Sequence, residues 1–116
     1  MAQNTRQIIR KDLLTAAIAG GKDVRRVEIK QIDLEPGQQT GLHLHAIPVV
    51  GYIASGAIRF QVEGGAPTVL RAGSAFFEPA NTRILHFDNA SAEEPATFIA
   101  YYLMGQDDQK LIDMLE

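Results

Sequence analysis

Two histidines, His43 and His45, stand one residue apart within the segment Gly37–Gly56. Side chains of a β-strand alternate between its two faces, so in a strand both imidazoles point the same way, about 6.5–7 Å apart. Imidazoles at this spacing can bind one cation, with Zn–N bonds of about 2.0–2.1 Å. A His-x-His pair alone is more often solvated or hydrogen-bonded, because a metal site needs three or four ligands. Further ligands must therefore come from elsewhere in the chain.

The segment around the pair resembles the first motif of the cupin family. That motif reads G, five residues, H-x-H, three or four residues, E, six residues, G. Gly37, His43, His45 and Gly56 match it. The glutamate position falls on Val49, so the carboxylate ligand usual in this strand is missing.

The segment Gly73–Asn89 resembles the second cupin motif, which reads G, five residues, P-x-G, two residues, H, three residues, N. Gly73 and Pro79 match the motif. Asn81 stands at the second glycine position. Asparagine tolerates the left-handed backbone conformation that a glycine supplies. The two motifs together span nearly half of the chain.

The histidine position of the second motif falls on Ile84, and His86 follows two residues later. In a regular strand Ile84 and His86 share a face, so strand register can bring His86 beside His43 and His45. All three histidines of the chain then lie within the two motifs. The alternative for His86 is a buried histidine that bonds a backbone carbonyl or Asp88.

The resemblance implies a small single-domain, bacterial-type cupin occupying residues 1–116. Its fold would be all-β, a double-stranded β-helix or jelly-roll barrel with the site inside one mouth. Many cupins are homodimers, so the resemblance also favours a homodimer. The same architecture carries enzymes, binding modules and sensors, so the fold leaves the activity open.

Alternating apolar residues and turn signals predict the strands of such a barrel independently. Gln7–Ala19 is compatible with either a helix or a strand. A phase shift in the apolar pattern of the first strand predicts a bulge near Lys30–Gln31. After Gly105, an Asp107 or Asp108 cap predicts a short C-terminal helix. The predicted strands are Val24–Leu34, the strand of His43 and His45, Val49–Ala54, Ala57–Glu63, Thr68–Arg71, Ser74–Phe77, Thr82–Phe87 and Ala96–Met104.

Composition excludes several classes of protein. The net charge is −3 and no basic block occurs, so nucleic-acid binding has no electrostatic support. The absence of cysteine removes disulfides, thiolate metal sites and cysteine nucleophiles. The sequence shows neither a signal-peptide pattern nor an apolar run of about 20 residues, so we expect a cytoplasmic protein that does not interact with membranes.

Two hypotheses for the site follow, with a third for the whole domain. In the first, His43, His45 and His86 bind a divalent ion, with Zn, Fe, Ni or Cu favoured by nitrogen ligands, and the centre could catalyse oxygenation, isomerisation or hydrolysis of a small molecule. In the second, a metal-free pocket binds or senses a small-molecule ligand. In the third, the site is vestigial and Ala96–Met104 and the C-terminal segment form a dimer face. The predicted ligand-pocket residues are Val49, Tyr52, Phe60, Gln61 and Ile84.

Overall fold

The computed structural model describes residues 6–115, which form nine β-strands and no helix. The all-β prediction is therefore confirmed, with strand positions close to those expected from the alternating pattern. The strands are β1 (Arg26–Leu34), β2 (His43–Leu44), β3 (Val49–Ser55), β4 (Ala57–Val62), β5 (Thr68–Arg71), β6 (Ala75–Glu78), β7 (Ile84–Asn89), β8 (Ala96–Met104) and β9 (Asp113–Met114).

The strands form two antiparallel sheets whose inner faces enclose one apolar core. The first sheet has the order β1-β8-β3-β6 and the second the order β5-β4-β7-β2-β9. Four phenylalanines fill the centre of the core with tilted and edge-to-face ring contacts, which suit the quadrupole of aromatic rings. These four are Phe60, Phe76, Phe87 and Phe98.

Strand β1 pairs with β8 without interruption from Arg26 opposite Met104 to Leu34 opposite Ala96. The predicted bulge at Lys30–Gln31 is therefore wrong. The change of phase has another cause: Ile32 and Leu34 face the core, whereas Ile29 lies on the outer face of the first sheet and is 61% exposed. A strand that carries apolar residues on both faces mimics a bulge in the sequence pattern.

The C-terminal helix predicted after Gly105 is also wrong. Residues 105–115, here called the C-terminal strap, begin with a turn at residues 106–107 and reach the edge of the second sheet, where β9 pairs with β2. A helix this short is marginal without packing, whereas pairing satisfies the backbone groups of an edge strand. At the start of the strap, the Asp108 carboxylate accepts hydrogen bonds from Lys22 and from the Gly105 backbone.

The segment of residues 6–25, here called the N-terminal arm, forms neither the helix nor the strand considered for Gln7–Ala19. Leu13 and Leu14 lie against the outer face of the first sheet near Tyr52, while Ile9 is 92% exposed. Among the described residues, no helix is long and apolar enough to cross a membrane.

Candidate metal centre

The side chains of His43, His45 and Glu78 are buried and lie close together between the two sheets. The Nε2 atom of His43 lies 3.4 Å from Oε2 of Glu78, and Nε2 of His45 lies 3.6 Å from Oε1. One potential ligand atom from each of the three residues lies within 4.8 Å of the others. Nitrogen and carboxylate ligands at these separations can bind a single divalent ion.

Each of the three side chains is positioned by local pairing. His43 belongs to β2, and the His45 carbonyl directly after it accepts a hydrogen bond from the Asn81 backbone. Asn81 has φ of 58°, so it adopts the left-handed conformation predicted for its motif position. Glu78 ends β6 and stands directly opposite Val49 of β3. Residues directly paired across two strands share a face, so Glu78 places its carboxylate beside the position where the motif expects one.

Backbone carbonyls fix the tautomers of both histidines. Nδ1 of His43 donates to the Gly41 carbonyl at 2.7 Å, and Nδ1 of His45 donates to the Leu111 carbonyl at 2.5 Å. A carbonyl only accepts hydrogen bonds, so each Nδ1 must carry the proton. In the neutral rings each Nε2 then presents a lone pair towards Glu78. Such carbonyl contacts are the usual outer partners of metal-binding histidines.

Two lone pairs that face a carboxylate repel it unless positive charge lies between them. Glu78 is buried, and its Oε2 has no hydrogen-bond partner among the described residues. A buried carboxylate without a partner is costly, and a cation or a proton on one imidazole removes that cost. The residues therefore fit a divalent cation, which the two Nε2 atoms and the carboxylate would hold.

In the absence of a metal ion, the same contacts change the pKa values of His43 and Glu78. Burial alone would lower the pKa of His43, but contacts with the Glu78 carboxylate and the Gly41 carbonyl and the nearby negative charges outweigh it, so the pKa is raised. Burial alone would raise the pKa of Glu78, but contacts with His43 and His45 outweigh it, so the pKa is lowered. In the metal-free site these opposite shifts favour the imidazolium–carboxylate form of the His43–Glu78 pair.

A cavity of about 130 Å³ opens beside the three side chains. Its wall is mostly apolar, and the lining residues Thr40 and Tyr102 carry hydroxyl groups. Burial and the charge of Glu78 raise the pKa of Tyr102, which keeps its hydroxyl protonated. The remaining wall residues are Ile32, Phe87, Phe98, Ala100 and Ile112.

The structure does not bring His86 to this group. Gln61 pairs with His86 while the next residue of β4, Val62, pairs with Ile84, so β7 carries one extra residue between them. Such a bulge inverts the alternation of side chains. His86 therefore lies on the face opposite to Ile84, where its Nδ1 donates to Asp88 at 2.8 Å and its side chain is 34% exposed. This contact with Asp88 is the alternative considered from the sequence.

The five residues predicted to line the pocket lie at other places. Val49 and Ile84 are buried in the apolar core, and Phe60 packs against the core phenylalanines. Tyr52 lies on the outer face of the first sheet beneath the N-terminal arm. Gln61 pairs with His86 and donates to the Gly65 carbonyl. None of the five contributes to the wall of the cavity beside His43.

Glu78 is the site residue that the sequence patterns did not predict. Its position before Pro79 resembles that of a solvated turn carboxylate, in the same way as Glu63. The signal that could have revealed it is the alternation of β6, in which Phe76 and Glu78 share the inner face. A carboxylate in line with a core phenylalanine requires a buried positive partner.

The two-sheet barrel, with a buried His-His-Glu group at one end, defines a double-stranded β-helix protein with a candidate metal centre. The sequence model of the family Cupin_2, described as Cupin domain, matches residues 30–102. The chain belongs to this cupin family, which confirms the resemblance of its two motifs. No curated protein matches the chain in sequence.

Solved structures share the fold at low sequence identity. An oxalate oxidase in complex with the substrate analogue glycolate has a TM-score of 0.64 and 20% identity, over 77% of this chain and 46% of its own. A DMSP lyase from Ruegeria pomeroyi has a TM-score of 0.65 and 17% identity, over 81% of this chain and 44% of its own. An uncharacterized conserved protein with a double-stranded β-helix domain from Klebsiella pneumoniae has a TM-score of 0.62 and 19% identity, over 79% of both chains. The chain thus spans about half the length of the first two.

Proposed function

We propose that this protein is a metal-dependent cupin that binds one divalent cation through His43, His45 and Glu78 and takes a small molecule into the adjoining cavity. The observation that carries the proposal is the pair of fixed tautomers: both Nε2 lone pairs and an unpartnered carboxylate oxygen face one point. Two histidines and one carboxylate form the ligand set typical of Zn²⁺ hydrolases and non-haem Fe²⁺ oxygenases. Zn²⁺ and Fe²⁺ are therefore the proposed ions.

The ion would supply Lewis acidity or redox chemistry, and the chain would supply orientation and a dry environment. Gly41 and Leu111 hold the two imidazoles in position, and the apolar wall excludes bulk water. Tyr102 keeps a proton on its hydroxyl beside the cavity. The structural neighbours include an oxalate oxidase and an oxalate decarboxylase, enzymes named for a small carboxylate, which supports an enzymatic use of the same architecture here.

Elemental analysis of untagged protein, purified without chelator, tests the proposal. We expect about one equivalent of metal per chain in the wild type and none in the His43→Ala/His45→Ala variant, because the variant keeps only one of the three ligands. His86→Ala is the matched control and should retain its metal, since His86 bonds Asp88 on the opposite face.

Two measured metal contents would contradict the proposal. If the wild type takes up no metal even after reconstitution with Zn²⁺ or anaerobic Fe²⁺, the metal-free binding module becomes the better hypothesis. If His86→Ala loses its metal while remaining folded by circular dichroism, His86 takes part in metal binding and the proposed ligand set is wrong.

We also propose that the protein is a cytoplasmic homodimer. A standard interface buries about 800 Å² per partner. The outer face of the first sheet carries exposed apolar side chains at Val27 and Ile29, so this face is the proposed contact.

Sedimentation velocity of the Ile29→Lys variant tests the proposed dimer. We expect the wild type to sediment as a dimer and Ile29→Lys as a monomer, because the substitution buries an unpaired charge at the contact. Val69→Lys is the control, since Val69 is 51% exposed on β5 of the second sheet. A monomeric wild type, or equal dissociation of both variants, would contradict the proposed face.

A further inference from the structure

Two buried polar side-chain atoms lack a hydrogen-bond partner among the described residues, and both belong to residues that line the same cavity. They are Oε2 of Glu78 and Oγ1 of Thr40. Buried polar atoms in proteins are almost always paired, so each exception needs an explanation. That both exceptions meet at one cavity indicates an occupant with more than one binding group.

A cation at the centre explains the carboxylate but not the hydroxyl. The Thr40 hydroxyl carries a proton, and a proton needs an acceptor, which a cation is not. Tyr102 is the other residue of the cavity wall that carries a hydroxyl group. The occupant beside the cation must therefore present at least one acceptor oxygen to Thr40.

The charge of the site limits the occupant further. A divalent cation together with the Glu78 carboxylate leaves one net positive charge, because both imidazoles are neutral when they bind a metal. Among the described residues, the cavity wall contains no lysine or arginine and no second carboxylate. One negative charge neutralises the site, whereas a dianion would bury an uncompensated charge.

The size and the lining of the cavity limit the uncharged part of the ligand. The volume is about 130 Å³, and a cavity of about 150 Å³ accommodates a molecule the size of benzene, with six non-hydrogen atoms. The wall away from the metal ligands is formed by apolar side chains, Ile32, Phe98, Ala100 and Ile112 among them. An alkyl group of two or three carbons fits this wall better than a second polar group.

We propose that the cavity binds a short-chain monocarboxylate beside the metal ion, with the Thr40 hydroxyl donating a hydrogen bond to a carboxylate oxygen. This inference rests on the proposed metal centre and names the ligand class of that centre. It makes Thr40, which lies outside the metal-ligand set, a ligand-binding residue. A hydrogen bond to a charged acceptor is among the stronger ones in proteins, so its loss should be measurable.

Isothermal titration calorimetry of the Zn²⁺-loaded protein with propionate tests the inference. We expect propionate to bind the Zn²⁺-loaded protein, and not the chelator-treated protein, more tightly than neutral propionamide or dianionic oxalate. Thr40→Val removes the hydroxyl with little change of shape and should weaken propionate binding roughly tenfold to a hundredfold. Zn²⁺ affinity should stay within about twofold, since the three proposed ligands are intact.

Thr97→Val is the matched control, because the Thr97 hydroxyl bonds Asp33 at 2.8 Å on the outer face of the first sheet. It should leave both affinities unchanged. Zn²⁺ binding without propionate binding, equal affinity for propionate and propionamide, or wild-type propionate affinity in Thr40→Val would each overturn the inference and leave the metal centre standing. Failure of the wild type to bind Zn²⁺ would overturn both.

Discussion

Replacement of Glu78 by glutamine is expected to lower metal affinity on the order of 100-fold, about 2.7 kcal/mol. Glutamine keeps the shape of the side chain but removes the only negative charge among the three proposed ligands, which lie within 4.8 Å of one another. Competition of the protein with a chromophoric zinc chelator measures the loss directly. Glu63→Gln is the control, since Glu63 is an exposed carboxylate beyond the end of β4. Equal affinity of both variants would contradict the assignment of Glu78.

An exchange of two residues provides a stricter test of the same site. Val49 and Glu78 are direct partners on neighbouring strands, with Cβ atoms about 4.5–5.5 Å apart in such pairs. The double variant Val49→Glu/Glu78→Val moves the carboxylate to the position of the family motif and conserves total volume. We expect it to recover metal affinity to within about tenfold of the wild type. If the folded double variant binds metal as weakly as Glu78→Gln, the carboxylate can act as a ligand only from β6 and not from β3.

Metal affinity is expected to fall about tenfold per pH unit below the raised pKa of His43. Nδ1 of His43 already donates to the Gly41 carbonyl, so the additional proton must occupy Nε2, the proposed ligand atom. The pKa of His43 is raised in the metal-free protein, so this competition begins at a higher pH than it would for an unperturbed histidine. The pKa of Glu78 is lowered, so its carboxylate stays ionised near neutral pH. Glu78 therefore does not contribute to the pH dependence of metal affinity in this range.

The metal-free and metal-loaded proteins should therefore respond oppositely to pH. In the metal-free protein the raised pKa of His43 contributes stability below its unfolded value, and this stability is lost as the pH rises through the folded value. Metal binding instead strengthens as the proton leaves. The difference in Tm between Zn²⁺-loaded and chelator-treated protein should widen from about pH 5.5 to about pH 7.5. A constant difference would contradict His43 as a ligand.

The architecture was predictable because it depends on alternation and turns, which are local properties of the sequence. Most of the predicted strands reappear nearly unchanged, and Asn81 adopts the left-handed conformation expected from its motif position. The errors occur where neighbouring elements decide the outcome. The bulge predicted at Lys30–Gln31 fails because β1 is apolar on both faces, and the C-terminal helix fails because the edge of β2 offers pairing instead.

The candidate site was only half predictable for a similar reason. His43 and His45 lie one residue apart and point the same way, as the His-x-His pattern of the sequence predicts. Glu78 joins them through pairing of β6 with β3, and His86 is turned away by a bulge of β7 opposite Gln61 and Val62. Register between distant strands determines both positions, and the spacing of residues along the chain does not encode it.

The C-terminal strap has a consequence for the order of events during folding. The carbonyl that fixes the tautomer of His45 belongs to Leu111, which lies 66 residues further along the chain and beyond β8. A nascent chain that has emerged only as far as β8 still lacks this partner. Until the strap docks, His45 is free to adopt either tautomer, and the ligand set is not preorganised. Capture of a cation at the proposed centre would therefore be a late step that depends on docking of the strap rather than on the formation of the first hairpins.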